Sequence, residues 1–196
     1  MYSLPTKIKI GDNDFKIREN GDFRMILDCF SALQDSELTK DERVISSLII
    51  FYEDLNCYED IVEAFYTEEL LTEAIEKMFR FFECNQNNVG MRQNYKLIDW
   101  DADSQLICSA INNVAKYEIR SVEYCHWWTF MGYYISIGES VLSTVVSIRH
   151  KSATHKKLEK YEKEFRNENP QYFSFDYRTA EQKEADEQIR AMFNGG

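Results

Sequence analysis

The run EYCHWWTF, residues 123–130, gathers a cysteine, a histidine, two tryptophans and a phenylalanine within one short stretch. A thiol beside an imidazole is raw material for a metal site or for nucleophilic catalysis, whereas paired tryptophans suit a core or a protein interface. Zinc needs three or four Cys or His ligands, usually in close-spaced pairs. Cys125 and His126 are adjacent, and adjacent side chains on a helix diverge by about 100°. His150 and His155 stand five apart, again off one face. The five cysteines (Cys29, Cys57, Cys84, Cys108 and Cys125) form no CxxC and sit beside apolar or aromatic neighbours, where a small buried hydrophobe is the commoner role. No GxGxxG, GxxxxGK[ST], GxSxG or HExxH occurs. The carboxylate pairs Asp101/Asp103 and Glu68/Glu69 fall at expected helix starts, where they complement the helix dipole. The residues therefore predict no catalytic group, no metal site and no bound cofactor: a protein that is not an enzyme.

What remains for the aromatic run is packing. A helix over residues 121–137 would be about 25 Å long at ~1.5 Å per residue. It places Tyr124, Trp128, Met131 and Ile135 on one face and Trp127, Phe130 and Tyr134 on the next, too wide an apolar sector for a helix resting lightly on a surface. Burial of each tryptophan stabilises by up to roughly 5 kcal/mol, from ~200 Å² at ~25 cal/mol/Å². The simpler reading is a central core helix; the sharper one exposes a tryptophan as the anchor of a protein interface. Tyr124, His126, Trp127, Trp128 and Phe130 are the candidate residues under either reading.

The elements that must hold this run in place are mostly helical. KIKI (7–10) and FKIR (15–18) alternate polar and apolar residues around GDND, a β-hairpin whose greasy face is Ile8, Ile10, Phe15 and Ile17. A lone hairpin is marginal in water, so that face should lie on a helix. Asp22 caps a helix through Phe23, Ile26, Leu27 and Phe30. TKDE (39–42) is a capping box before Val44, Ile45, Leu48, Ile49 and Tyr52. Thr67 opens a segment through Leu70, Leu71, Ala74, Ile75, Met78 and Phe82. Residues 84–94 read as a loop. Asp101 or Asp103 caps a helix bearing Leu106, Ile107, Ala110, Ile111 and Val114. Residues 141–148 fit a strand or a short helix, and 152–166 a basic helix ended by NPQYF (169–173). The expected fold is mainly α: one helical domain over 1–173 with an N-terminal hairpin (7–18) packed on it. A C-terminal helical tail, 174–196, follows. The tail's narrow stripe, Ala185, Ile189, Met192 and Phe193, fits docking on the same domain, self-association or docking on a partner.

Seven glycines and two prolines in 196 residues leave little material for an all-β fold. The formal net charge is −11, distributed unevenly: residues 1–148 hold 13 Lys and Arg against 25 Asp and Glu, whereas 149–166 carry seven basic and three acidic residues. An acidic body repels phosphate backbones and argues against nucleic-acid binding. No stretch approaches 18 consecutive apolar residues, no apolar leader opens the chain, and the cysteine count is odd. These features predict a soluble cytoplasmic protein with reduced thiols and no membrane partner.

The run VEYCHWWTF (122–130) resembles a signature of the bacteriophage Gp-fifteen family, small proteins encoded among phage and prophage tail genes. The segment there is similar to EYLHWWKF. A DAD-like element opens a helix about twenty residues earlier, here Asp101-Ala102-Asp103. An I-x-x-R element and a basic helix follow, here Ser147-Ile148-Arg149 and HKKLEKYEKEF (155–165), and an aromatic ending is similar to Tyr172-Phe173. The start MYSLP is also similar. The resemblance covers residues 1–173; Cys125 departs from it by replacing an aliphatic residue, and 174–196 have no counterpart. It implies a role in tail morphogenesis, as a tail assembly chaperone that holds the tape-measure protein soluble and helps deliver tail-tube subunits, in the cytoplasm of the host bacterium. The alternative it implies is a structural component of the tail, carried in the virion.

Overall fold

The computed structural model describes residues 3–86 and 96–174. The fold is mainly helical with one small N-terminal hairpin, as the patterning predicts. Strands β1 (Lys7–Ile10) and β2 (Asn13–Lys16) pair antiparallel, Ile8 opposite Phe15. Gly11 makes the turn at φ +55°, and a Cβ there would come within 2.9 Å of Leu70. The described residues divide into two compact units, one within Met1–Val89 and Tyr117–Ser136, the other within Gly90–Lys116 and Ile137–Gly196.

The first unit holds the hairpin and helices α1 (Phe23–Gln34), α2 (Lys40–Phe51), α3 (Tyr58–Ala64) and α4 (Glu68–Phe82). The start signals act as the sequence indicates. Asp22 accepts from the Arg24 amide, Thr39 and Glu42 form a reciprocal capping box, and Thr67 accepts from the Leu70 amide. Ile10 and Ile17 of the hairpin are buried, and Phe15 packs between Phe65 and Tyr52 with ring centroids at 5.1 and 5.9 Å. Arg18 closes the end of α2: its guanidinium donates to the Ile49 and Ile50 carbonyls, which a helix terminus leaves without intrahelical partners, and to the Tyr52 and Leu55 carbonyls just beyond it. The Tyr52 hydroxyl donates to the Ala74 carbonyl at 2.9 Å, tying α2 to α4. Leu48, Phe51, Phe81 and Phe82 complete the centre of this core.

Helix α3 is an element the sequence reading passed over. Its start is a capping box in which Asp60 accepts from the Asn56 and Cys57 amides, and cysteine is not a residue that marks a cap.

The second unit contains α5 (Ser104–Ala115), α7 (Val141–Ala153) and α8 (Lys160–Glu168); α6 (Trp127–Ile135) belongs to the first. The ambiguous stretch 141–148 is helix, started by a Ser140/Ser143 capping box that overrides its β-branched content. The basic helix expected over 152–166 is two pieces: α7 ends at Ala153 and α8 begins at Lys160. His155 between them takes φ +54°. Glu162 rejoins the pieces, accepting Lys151 at 2.7 and 2.8 Å as well as the Glu159 amide. That ion pair holds the Glu162 carboxyl below its ordinary value.

At the centre of this unit Arg149 and Asp103, each 2% exposed, form a two-pronged ion pair at 2.5 and 2.9 Å. Arg149 also donates to the carbonyls of Tyr172 and Leu97, and Asp103 accepts from the Asp99 amide. Asp103 occupies the cap position of α5, but its carboxylate makes no bond to that helix. Val145, Ile148 and Phe173 pack alongside, flanked by Leu106, Leu158, Phe165 and Tyr172. Residues 87–94 of the expected 84–94 loop and the C-terminal tail beyond Ser174 lie outside the described residues.

Candidate functional site

The aromatic signature starts its helix later than the spacing predicts. Residues 121–126 are not helical beyond a short 3-10 turn, Ile119–Ser121, and α6 begins at Trp127. The cause is a clamp from α1. The Asp22 carboxylate accepts the Cys125 amide at 2.8 Å, the Phe23 amide donates to the Cys125 carbonyl, and Arg24 donates to the Val122 carbonyl at 2.7 Å. Asp22 and His126 face each other in an isolated antiparallel bridge. A backbone held extended by these bonds cannot also be helical. Cys125 and His126 therefore do not sit 100° apart on a helix; they precede it.

His126 is the N-cap of α6. Its Nδ1 accepts from the Trp128 amide at 3.0 Å and its Nε2 lies 3.1 Å from the Pro5 carbonyl. An acceptor at one nitrogen and a donor at the other define the neutral imidazole with its proton on Nε2. The ring is 1% exposed, and burial presses its pKa below the ordinary 6.5 against weaker upward pulls from the Pro5 carbonyl and Asp22. Both nitrogens are thus engaged with backbone.

The two tryptophans grip α4. The Trp127 indole donates to the Phe82 carbonyl at 2.9 Å and the Trp128 indole to the Phe81 carbonyl at 3.0 Å. Consecutive indoles thereby satisfy consecutive carbonyls of the last helical turn. Trp127, 1% exposed, stacks on Phe130 at 5.6 Å and meets Phe30 edge-on, and Phe130 lies flat on Phe23 at 4.4 Å. Trp128 is only half-buried, and Tyr124 is exposed while its hydroxyl donates to the Asn20 carbonyl. Of the two expected faces, then, Trp127 and Phe130 are core. Tyr124, Trp128, Met131 and Ile135 lie on the outer side, with Ile135 exposed.

Below the imidazole the chain takes three left-handed residues in a row, Glu19, Asn20 and Gly21. A Cβ on Gly21 would sit 2.9 Å from the Phe81 ring and 3.2 Å from His126 Nε2, so only glycine admits the histidine here. Neither this glycine nor Pro5 is marked in the sequence as part of the site; the bare Asn20-Gly21 pair is the one available hint. Among the described residues no group of three or more His, Cys, Asp or Glu could hold a metal ion. Burial raises the Cys125 thiol to about 11, the reverse of what a nucleophile needs.

A family model described as Bacteriophage Gp15 protein matches residues 2–173. The chain belongs to that family. Neither curated proteins nor solved structures give a match. In this member of the family the quoted elements acquire physical roles. The His-Trp-Trp run closes the first unit. The DAD-like and I-x-x-R elements supply Asp103 and Arg149, and the aromatic ending gives Arg149 the Tyr172 carbonyl while Phe173 packs with Val145 and Ile148. Three elements spread over some seventy residues of sequence converge on one buried ion pair. Among the described residues no helix is long and apolar enough to cross a membrane.

Proposed function

We propose that this protein is a non-enzymatic phage tail morphogenesis factor, a tail assembly chaperone that engages the tape-measure protein, the tail-tube protein or both. Family membership supports the phage context. The observation that carries the non-enzymatic part is the use of the signature itself: His126 caps a helix and bonds a carbonyl, and the indoles bond two more, so both imidazole nitrogens and both indole N–H groups are spent on backbone. Residues spent on holding helices together are not free to activate water or phosphate. The remaining surface is then what acts, and a folded acidic surface suits polypeptide clients better than nucleic acid. Co-expression of the full chain with the tape-measure and tail-tube proteins of the same phage, followed by pull-down, tests the proposal. Co-purification or a gain in client solubility is expected, and failure of both ends the chaperone reading. Mass spectrometry of purified particles separates this role from a structural one: stoichiometric presence in virions would identify a tail component instead.

A further inference from the structure

Helix α3 is pinned from one side and bare on the other. Ile61 and Phe65 are buried, and Phe65 packs against Phe15 and Tyr52. Tyr58 and Val62 lie one turn apart on the outer face, 56% and 51% exposed, and Tyr66, four residues further on, is 76% exposed. Two large apolar side chains one turn apart on a short, anchored helix, with Tyr66 just past the helix end, form an exposed patch that water solvates poorly. The charge around the patch is one-sided. Residues 44–76 carry nine Asp and Glu and no Lys or Arg, and Glu59 and Glu63 flank Tyr58 and Val62 on the same helix. Glu68, Glu69 and Glu76 follow along one side of α4, together with Glu73, which is paired with Lys77.

We infer that the outer face of α3 docks a cationic amphipathic helix of another protein, with Tyr58, Val62 and Tyr66 against its apolar side and the surrounding carboxylates against its lysines or arginines. Charge complementarity selects this occupant. The chain's own basic stretch, 149–166, has the right sign but buries its apolar residues: Leu158 and Phe165 pack in the second unit, leaving Tyr161 as its large exposed apolar side chain. The C-terminal stretch 175–196 offers apolar residues but carries five Asp and Glu against three Lys and Arg, the wrong sign for this face. An anionic lipid surface or a nucleic acid is repelled by the same carboxylates. The inference rests on the client-binding reading above and deepens it by naming the surface and the chemistry of what it takes.

The test uses the full chain and a synthetic, fluorescently labelled 18-residue peptide with lysines on one helical face and leucines on the other, alongside a scrambled peptide of the same composition. Fluorescence anisotropy should show the amphipathic peptide binding at least tenfold tighter than the scrambled one. Raising the salt should weaken binding. The triple variant Tyr58→Ser/Val62→Ser/Tyr66→Ser and the pair Glu59→Lys/Glu63→Lys should each lose at least tenfold, with unchanged circular dichroism and melting temperature. A control with the same change of charge elsewhere, Glu37→Lys/Glu123→Lys, should bind as the parent does. Equal loss in that control would show generic charge attraction and overturn the proposal. So would a dimer in sedimentation that the α3 variants abolish, which would make a second copy the occupant. The outcomes also separate this inference from the functional reading. Tail proteins that co-purify equally with the α3 variants remove the surface and leave the function; a peptide that docks while no tail protein co-purifies does the reverse.

Discussion

At His126 a single side chain answers for both capping and burial, and its titration carries a sign. The unfolded imidazole takes its proton near 6.5, while in the folded chain burial pushes that event lower. Between those two values the unfolded state holds more protons, so stability falls as pH falls through this window and is regained above it. Asparagine can also accept from the Trp128 amide as an N-cap but does not titrate. Urea unfolding at pH 7.5, 6.5 and 5.5 should therefore show a steeper acid loss for the parent than for His126→Asn, with the gap opening below pH 6.5. Parallel curves for the two proteins would mean that His126 is not held neutral. The importance of this residue was legible from its company, but its role was not. An adjacent Cys-His pair looks like a ligand or nucleophile fragment until one sees that Asp22, a hundred residues earlier, holds the backbone at Cys125 extended. Nothing local in the run announces that bond.

Among the elements, most of those whose signals are local were legible. The Thr39/Glu42 box and the Thr67 cap lie where capping chemistry puts them, and the hairpin forms as alternation indicates, except that its second strand is Asn13–Lys16 rather than 15–18 because the turn takes only Gly11 and Asp12. The misses are both local and long-range: α3 went unseen because its local box starts at a cysteine, and the others involve residues far apart or a break inside a helix. The α6 start was shifted by the Asp22 clamp, and the basic helix was cut at His155. Asp103 and Arg149 were each visible as members of a motif, one taken for a cap and one for the start of a basic segment, with no sign that they meet. Their pairing makes a prediction at this scale. Replacing Arg149 by alanine strands a buried carboxylate and leaves the Tyr172 and Leu97 carbonyls without the guanidinium, at a cost of about 3–5 kcal/mol. Arg149→Lys should recover little, because an ammonium lacks the planar fork that reaches Asp103 and both carbonyls together. Denaturant midpoints read by circular dichroism measure both. A lysine variant as stable as the parent would show that charge alone, not the fork, holds these elements.

On the scale of the whole chain, the family pattern spans both compact units, with His-Trp-Trp in one and the Asp103–Arg149 pair in the other. No glycine- or proline-rich linker marks that division in the sequence. If the protein works as a folded surface, a lesion in the core of either unit should act through loss of fold, and a substitution that spares both the fold and the outer face of α3 should spare function. Trp127→Ala removes an indole packed on Phe30 and Phe130 and orphans the Phe82 carbonyl, for a loss of about 3–5 kcal/mol. Complementation of phage lacking the gene should then give a graded result. Trp127→Ala and Arg149→Ala should lower the yield of infectious particles in step with their lost stability, and growth at a lower temperature should partly restore it. His126→Asn, which keeps the cap and deletes the imidazole, should support yields near those of the parent. An imidazole that moved protons or bound a metal could not be replaced in this way. A His126→Asn protein that is folded and abundant yet yields no phage would show that the histidine does chemistry, and the assembly-factor reading would give way to an enzymatic one.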